Sequence, residues 1–298
     1  MLGWSVIIAL LAGLITVGRG NNWALPVAML VVLVFSIAFP VFFLYTLRKN
    51  PKPIRIGLVG LPGSGKTVFL SVLFYEIQSH GGDDISFQPY GRETIEEVTR
   101  NINILVSGKW LPRTESDVVF PFRANARIPG GLFPRRYTVE IGDYAGEHIH
   151  EFDSTSEQWL HRTKYFAYIA DSDILFLAVD GEKLIKGNPL QTEQMLNNLI
   201  AAIQVLLDEK GVKFSRKTTM PVAVLILKAD CMEQTKDSEI FALKKIKRLL
   251  AICENRCYKS QAFFVSSVGS VDDQGNPTQK INPINICDPI TWALNSIR

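Results

Sequence analysis

Acidic residues are absent from residues 1–75 of this chain of 298 residues, and the first one is Glu76. Basic residues are almost as rare, because Arg19 is the single charged residue among residues 1–47. Two apolar runs fill this region, residues 2–17 and residues 24–47. A cleaved signal peptide is disfavoured, since no basic segment precedes the first run and no small-residue cleavage site follows it. A buried soluble hairpin is disfavoured as well, because both runs are apolar on every side.

Cysteines are also scarce, and their spacing argues against a disulfide framework. All four lie in the last third of the chain, at Cys231, Cys253, Cys257 and Cys287. Cys253 and Cys257 are four residues apart on a predicted helix, but no nearby histidine completes a set of four metal ligands. Buried, reduced thiols are therefore the favoured interpretation. A basic stripe with interleaved aromatic residues is missing too, so we expect no nucleic-acid partner.

The two apolar runs predict a membrane hairpin with helices over about residues 2–17 and 24–47. At 1.5 Å per residue the second run is long enough to cross a hydrocarbon core of ~30 Å with some tilt. The first run reaches only about 24 Å and would need local thinning of the bilayer. Aromatic residues that favour the membrane interface lie near the run ends, at Trp4, Trp23 and Tyr45. Residues 19–22 would form the connection.

The distribution of basic residues predicts the orientation of this hairpin. Four basic residues follow the second run, at Arg48, Lys49, Lys52 and Arg55. Because basic residues concentrate on the cytoplasmic side, the N-terminus and the long C-terminal part should both be cytoplasmic. We therefore predict a multi-pass protein of the inner (cytoplasmic) membrane. A basic linker, residues 48–53, would lead to one domain over residues 54–298.

A phosphate-binding motif lies at the start of that domain. The run Gly60-Leu61-Pro62-Gly63-Ser64-Gly65-Lys66-Thr67 matches G-x-x-x-x-G-K-[ST] between a predicted strand (54–59) and a predicted helix (68–77). Gly60, Gly63, Ser64 and Gly65 would turn backbone N–H groups toward a phosphate. Lys66 would reach the β- and γ-oxygens, and the Thr67 hydroxyl would ligate Mg²⁺. The alternative is a chance glycine–serine turn.

A second motif follows a predicted β-hairpin. Residues 80–92 are predicted to form a loop, residues 93–106 a helix, and residues 118–128 and 137–141 the two strands. The second strand leads into Gly142-Asp143-Tyr144-Ala145-Gly146-Glu147. A carboxylate at a strand end, Asp143, is placed to hold the Mg²⁺ shell, and the Gly146 N–H can approach a γ-phosphate. D-x-x-G is weak alone and gains weight from its position after a phosphate-binding turn.

A third motif points to the base of a nucleotide. The predicted buried strand 221–230 follows another, 173–180, and a helix, 191–207, and it ends in Lys228-Ala229-Asp230. The Asp230 carboxylate can accept from N1–H and the 2-amino group of guanine, whereas the N1 acceptor of adenine would repel it. The stem of Lys228 would lie on the purine face. A last strand, 262–267, would bring Ser266 and Ser267 over the base edge. In the alternative interpretation Asp230 only caps a helix that starts near Thr235.

Together these motifs resemble those of the P-loop GTPases of the Ras-like TRAFAC group, over residues 54–298. Within that group "SGKWLPRT" before the hairpin and "DYAGE" after it resemble the prokaryotic double-GTPase families. The resemblance implies an α/β fold, with a mostly parallel six-stranded sheet and helices on both faces. It also implies that Thr114 is the switch threonine that meets Mg²⁺ and the γ-phosphate. The alternative for Thr114 is an exposed loop residue.

Two residues depart from the pattern of that group. Leu227 stands where the guanine motif N-K-x-D or T-K-x-D begins, so base affinity would be reduced. Glu147 occupies the place after D-x-x-G where many relatives carry a water-orienting glutamine. A glutamate can accept from water but cannot donate to the γ-phosphate, so hydrolysis would be slow without a partner.

Two further sets of side chains stay unassigned. The sequence does not identify which arginine of the chain would act as an arginine finger. The candidates are Arg92, Arg100, Arg113, Arg123 and Arg127. Zinc binding by the histidines after Glu147 would need a fourth ligand, and a solvated segment is favoured for His148, His150 and His161.

The sequence thus predicts a membrane-anchored, Mg²⁺-dependent protein that binds GTP and GDP, hydrolyses GTP and acts as a switch. Its catalytic residues would be Lys66, Thr114 and Glu147. Its expected partners are the lipid bilayer and a protein effector or activator. The alternatives are a P-loop ATPase or kinase-like enzyme, favoured if Asp230 does not recognise guanine, and a nucleotide-binding membrane scaffold without turnover.

Overall fold

The computed structural model describes residues 24–49, 52–80, 86–113, 120–128, 135–143, 164–211, 217–232 and 235–297. The chain divides into two units, Met1–Pro51 and Lys52–Arg298. The predicted first membrane helix and its connection lie outside the described residues, as do Thr114, Gly146, Glu147 and the three histidines that follow it.

Helix α1, Ala24–Lys49, is the described element of the first unit. Its side chains are described at residues 29, 30 and 32–45, and the large apolar ones among them are exposed except Val32, which is partly buried. Among the residues so described, no helix is long and apolar enough to cross a membrane. The predicted pair of transmembrane helices therefore has no support in the structure. Helix α1 extends through Lys49 and the first strand begins at Lys52, so both elements overlap the predicted linker, residues 48–53.

The second unit alternates strands and helices, as an α/β fold requires. Its strands are β1 Lys52–Gly60, β2 Ser86–Pro89, β3 Phe120–Ile128, β4 Arg135–Asp143, β5 Ile174–Asp180, β6 Val222–Leu227 and β7 Ser260–Val265. Its helices are α2 Lys66–His80, α3 Arg92–Val106, α4 Lys164–Ala170, α5 Gly181–Lys186, α6 Pro189–Glu209, α7 Lys236–Lys245, α8 Lys247–Arg256 and α9 Asp288–Ser296.

The described strands form one seven-stranded sheet in the order β2-β3-β4-β1-β5-β6-β7. The β2–β3 and β3–β4 pairs are antiparallel, and the other four pairs are parallel. The mostly parallel sheet and the β3–β4 hairpin were predicted, but the count of six strands was wrong. The extra strand, β2, lies within residues 80–92, which were predicted to be a loop.

Strand β2 forms because its residues complete the outer edge of β3. Ser86–Pro89 pairs antiparallel with Arg127–Ala124, and the Phe87 side chain is buried in the core. Glycine, aspartate and serine dominate the surrounding sequence and indicate a loop. The strand therefore depends on a partner that is distant in sequence, which local composition does not reveal.

Helices cover both faces of the sheet, as predicted. Side chains of α2, α3 and α9 pack in one core, and side chains of α4 to α8 pack in the other. Every residue of β5 and β6 is buried, which explains why both strands are continuous apolar runs rather than alternating ones. Because β4, β1, β5, β6 and β7 run parallel, their carboxyl ends meet at one edge of the sheet. Ligands of open α/β sheets bind at this edge.

Candidate nucleotide-binding site

The glycine-rich turn connects β1 to α2 at this edge. Gly60 is the last residue of β1 and pairs with Ala178 of β5, where an added Cβ would lie 2.8 Å from the Ala178 Cβ. Gly63 and Gly65 have φ values of +73° and +93°, which only glycine adopts at little cost. Helix α2 then begins at Lys66, so its first-turn N–H groups and its positive dipole end face the turn. The Ser64 hydroxyl in the turn is buried and has no hydrogen-bond partner among the described residues.

Lys66 is buried beneath the turn with only 6% of its surface exposed. Its Nζ donates to the carbonyl oxygens of Gly60, at 2.9 Å, and Leu61, at 3.0 Å. Burial lowers the pKa of Lys66 to about 8, although the charge of Asp143 raises it in part. An ammonium group is thus held where backbone N–H groups converge, which suits a phosphate.

Asp143 ends β4 beside the start of α2 and is also buried. Burial raises the pKa of Asp143 to about 6, against the hydrogen bond from Thr67 and the charge of Lys66, while Glu97 raises it further. Within the described residues its Oδ1 atom has no hydrogen-bond partner. An unpaired carboxylate oxygen next to a threonine hydroxyl fits Mg²⁺, which uses few protein ligands and completes its shell with water and phosphate. No group of three or more His, Cys, Asp or Glu side chains that could hold a metal occurs in the described ranges.

The opposite end of the site follows β6. Lys228 has left-handed backbone angles, φ 58° and ψ 40°, and turns the chain into a short 3₁₀ helix, Ala229–Cys231. Its Nζ lies 2.8 Å from Oδ2 of Asp180 and 3.5 Å from Oε2 of Glu182. Burial alone would lower the pKa of Lys228, but the hydrogen bond and charge of Asp180 outweigh it and raise the pKa. Lys228 is thus held as a cation with a fixed stem.

Sequence analysis missed the two residues that hold Lys228. Asp180 ends the buried strand β5, and its Oδ1 also accepts from the Lys183 N–H at the start of α5. Glu182 lies in the first turn of the same helix. The signal was available in "VDGE", because a carboxylate that ends a buried parallel strand must lie at the ligand-binding edge.

Asp230 is fixed by a hydrogen bond from the last strand's end. The Ser266 hydroxyl donates to Asp230 Oδ1 at 2.6 Å and accepts from the Gly269 N–H at 2.9 Å. Helix α7 is capped by Thr235, whose hydroxyl accepts from the Ser238 N–H. The alternative in which Asp230 caps this helix is therefore wrong.

A cavity of about 660 Å³ joins the two ends of the site. Of the predicted nucleotide-binding residues, those that line it are Gly63, Gly65, Lys66, Thr67, Lys228, Asp230 and Ser267. Gly60 and Ser64 lie in the same turn, and Asp143 lies beside Thr67. Ser266 was predicted to close over the base, but it is buried behind Asp230 and orients that carboxylate instead. Leu227 is buried and also lines the cavity.

A segment that sequence analysis did not place in the site forms one wall of this cavity. Residues 110–113, which we call the strap, follow α3 and line the cavity together with Val271 and Gly275. The Trp110 Nε1–H donates to the Gly275 carbonyl oxygen at 2.8 Å. The strap therefore links the chain after α3 to the loop after β7.

Two of the four cysteines are buried as predicted, whereas Cys231 and Cys287 are only partly buried and Cys231 lines the cavity. Cys253 and Cys257 are buried, and burial raises the pKa of the Cys257 thiol to about 11 and that of Cys253 further. The pKa of Cys287 is likewise raised to about 11 by burial. None of these three thiols has the depressed pKa of a reactive cysteine.

The sheet order, the glycine turn and the buried pair of Lys66 and Asp143 define an α/β nucleotide-binding protein of the P-loop class. The model of one such family, Double-GTPase 2, matches residues 54–280, and the chain belongs to that family. This finding agrees with the resemblance to double-GTPases seen in the sequence.

The chain was also compared with solved structures and with curated protein sequences. The chain is similar to a solved structure of the Arl6 BBS3 small GTPase from Trypanosoma brucei with bound nucleotide analogue GppNp. The identity is 12%, the TM-score is 0.42, and the match covers 82% of this chain and 97% of the other. A search of curated protein sequences found no match.

Proposed function

We propose that this protein binds GTP, hydrolyses it and acts as a switch. Membership of the Double-GTPase 2 family supports GTP binding. The observation that carries the proposal is the cavity with Lys66 at one end and Asp230, oriented by Ser266, at the other.

The fixed orientation of the Asp230 carboxylate favours guanine over adenine. Its Oδ1 accepts from Ser266, so the carboxylate is held in one orientation at the cavity wall. A fixed carboxylate can accept both N1–H and the 2-amino group of guanine, and it meets only an acceptor at N1 of adenine. Lys228 lines the same cavity, and its Nζ lies 2.8 Å from Asp180 Oδ2. Leu227 cannot supply a polar contact, and the Asp180–Lys228 pair holds the motif in place instead.

Mg²⁺ fits the phosphate end of the same cavity. Thr67 and Asp143 would hold it, and the cation would neutralise charge on the β- and γ-phosphates. Lys66 adds a buried positive charge, and the backbone N–H groups of the glycine turn position the phosphates.

Hydrolysis and switching are proposed from three residues outside the described part of the chain. Thr114 and Gly146 would contact the γ-phosphate, and Glu147 would orient the attacking water. Because Glu147 cannot donate to the γ-phosphate, we propose a slow intrinsic rate that a protein partner increases.

We also propose that residues 1–47 attach the protein to a membrane, with residues 54–298 on the cytoplasmic side. The composition supports this, since one charged residue occurs among 47. The described side chains of α1 add twelve exposed large apolar residues between Met29 and Tyr45.

The decisive test of the guanine proposal is Asp230→Asn in the full-length protein. Ser266 should keep donating to the amide oxygen and should turn the amide nitrogen toward the base, where it meets two donors of guanine. GTP affinity should fall by about 30-fold, or ~2 kcal/mol. Xanthosine triphosphate should bind more tightly than to the wild type, because its 2-oxo group accepts from the new amide.

Competition binding with GTP, ATP and xanthosine triphosphate measures these changes. The matched control is Asp237→Asn on α7, which is exposed and does not line the cavity. Lys66→Ala should abolish binding of all three nucleotides without changing the melting temperature by more than a few degrees. Equal losses for GTP and ATP in Asp230→Asn, without a gain for the xanthine nucleotide, would favour the ATPase alternative. Binding without single-turnover hydrolysis would favour the scaffold.

A further inference from the structure

The structure separates five arginines that the sequence could not distinguish. Arg92 pairs with Glu96, Arg100 with Glu97, and Arg123 with Glu140. Neither these three nor Arg127 on β3 lines the cavity. Arg113 does, and among the described residues it is the one arginine that lines it.

The strap places both Trp110 and Arg113 in the wall of the cavity. At its start, the Trp110 indole is fixed to the Gly275 carbonyl oxygen, in the loop after β7. Leu111 packs against the core, and it precedes Pro112, which favours an extended backbone at Leu111. An extended chain advances about 3.5 Å per residue, so a fully extended strap would separate Arg113 from Trp110 by up to about 10 Å. That reach spans the separation of a base from its phosphates.

The charge balance of the cavity favours a further cation at this point. Lys228 is neutralised by Asp180 and Glu182, which leaves Lys66 under the glycine turn and Lys186 as the other ammonium groups that line the cavity. A nucleoside triphosphate brings several negative charges. The planar guanidinium of arginine can donate two parallel hydrogen bonds to phosphate oxygens, which an ammonium cannot.

We propose that Arg113 binds the nucleotide phosphates and supplies, from within the chain, the positive charge that phosphoryl transfer requires. The catalytic role of Arg113 rests on the proposed GTP hydrolysis. In that reaction water forms the new bond to the γ-phosphorus and the bond to the bridging oxygen breaks. The electron pair and its charge pass to the β-phosphate of GDP, and the proton of the water ends on inorganic phosphate. Arg113 stabilises the charge that develops on the phosphate oxygens.

The test compares Arg113→Ala with Arg92→Ala in the full-length protein. Arg92 is an exposed arginine on α3 that does not line the cavity, so it is the matched control. Arg113 is also exposed, and its substitution should leave the melting temperature unchanged. We expect Arg113→Ala to lower triphosphate affinity by about 10-fold and single-turnover hydrolysis at saturating GTP by about 100-fold. Arg113→Lys should fall between, because it keeps the charge without the planar fork.

The proposal is overturned if Arg113→Ala matches Arg92→Ala in both triphosphate affinity and turnover. A loss in either measurement, absent from the control, supports it. If the proposed GTP specificity is wrong, the result is different: the wild-type protein then binds ATP and GTP with equal affinity in competition. In that case the same two variants are compared with ATP, because the base does not enter a phosphate contact.

Discussion

Lys66 is the residue in which fold and function conflict most directly. A buried ammonium is costly, and burial brings the pKa of Lys66 down to about 8. A bound phosphate would stabilise the ammonium and raise this pKa again. Between the two pKa values the complex holds one proton more than the free protein, so affinity must fall as pH rises through about 8.

We predict that GDP affinity is constant near pH 7 and falls by up to about 10-fold per pH unit above pH 8. Equilibrium binding in EDTA measures this without a contribution from Mg²⁺ at Asp143. Lys66→Arg is the control, because it stays charged throughout this range and should give weaker but pH-independent binding. A flat wild-type profile would mean that Lys66 does not contact the phosphates.

Among single residues, the sequence predicted those site residues whose role depends only on a local motif. The glycine turn needs no distant information, because Gly63 and Gly65 adopt positive φ angles within the motif itself. Asp180 was missed because its role depends on Lys228, 48 residues later in the chain. Ser266 was placed in the site, but its partner Asp230 lies 36 residues away and changes its role from lining to orienting.

The strap has no regular secondary structure, and we expect it to affect nucleotide exchange. One indole hydrogen bond ties it to the loop after β7. We predict that Trp110→Phe, which keeps an aromatic ring but removes the donor, speeds nucleotide dissociation by about 5-fold. The chase of a bound fluorescent GDP by unlabelled GDP measures this rate.

The control for this change is Tyr258→Phe, an exposed aromatic residue that does not line the cavity. It should leave the dissociation rate unchanged. If Trp110→Phe also leaves it unchanged, the indole hydrogen bond does not hold the strap over the nucleotide.

Element types were predicted well where apolar runs were long and buried. Strands β5 and β6 lack any polar alternation, and both were predicted as buried strands. The predicted start of helix α3 lies one residue after its observed start, Arg92. The predicted end of a strand was wrong where the backbone turns at polar residues. The predicted strand 221–230 ends at Leu227, because Lys228 adopts left-handed angles and starts the 3₁₀ helix.

For the whole molecule, the prediction concerns the apolar residues 1–47. If they attach the protein to a membrane in the proposed orientation, the protein should sediment with membranes and resist extraction by alkaline carbonate. Protease added outside intact cells should leave residues 54–298 uncut, and the same protease should cut them after the cells are opened. Cleavage in intact cells would contradict the orientation inferred from Arg48, Lys49, Lys52 and Arg55.

The sheet carries one more consequence for any protein partner. Many complexes form by β-augmentation, in which an incoming strand hydrogen-bonds to a free sheet edge. Here the outer side of β3 is already paired with Ser86–Pro89 of β2, and β2 ends in a proline that has no N–H to offer. A four-residue, proline-ended edge is a poor template for a further strand. A partner that detects the nucleotide state should therefore not extend the sheet at β2.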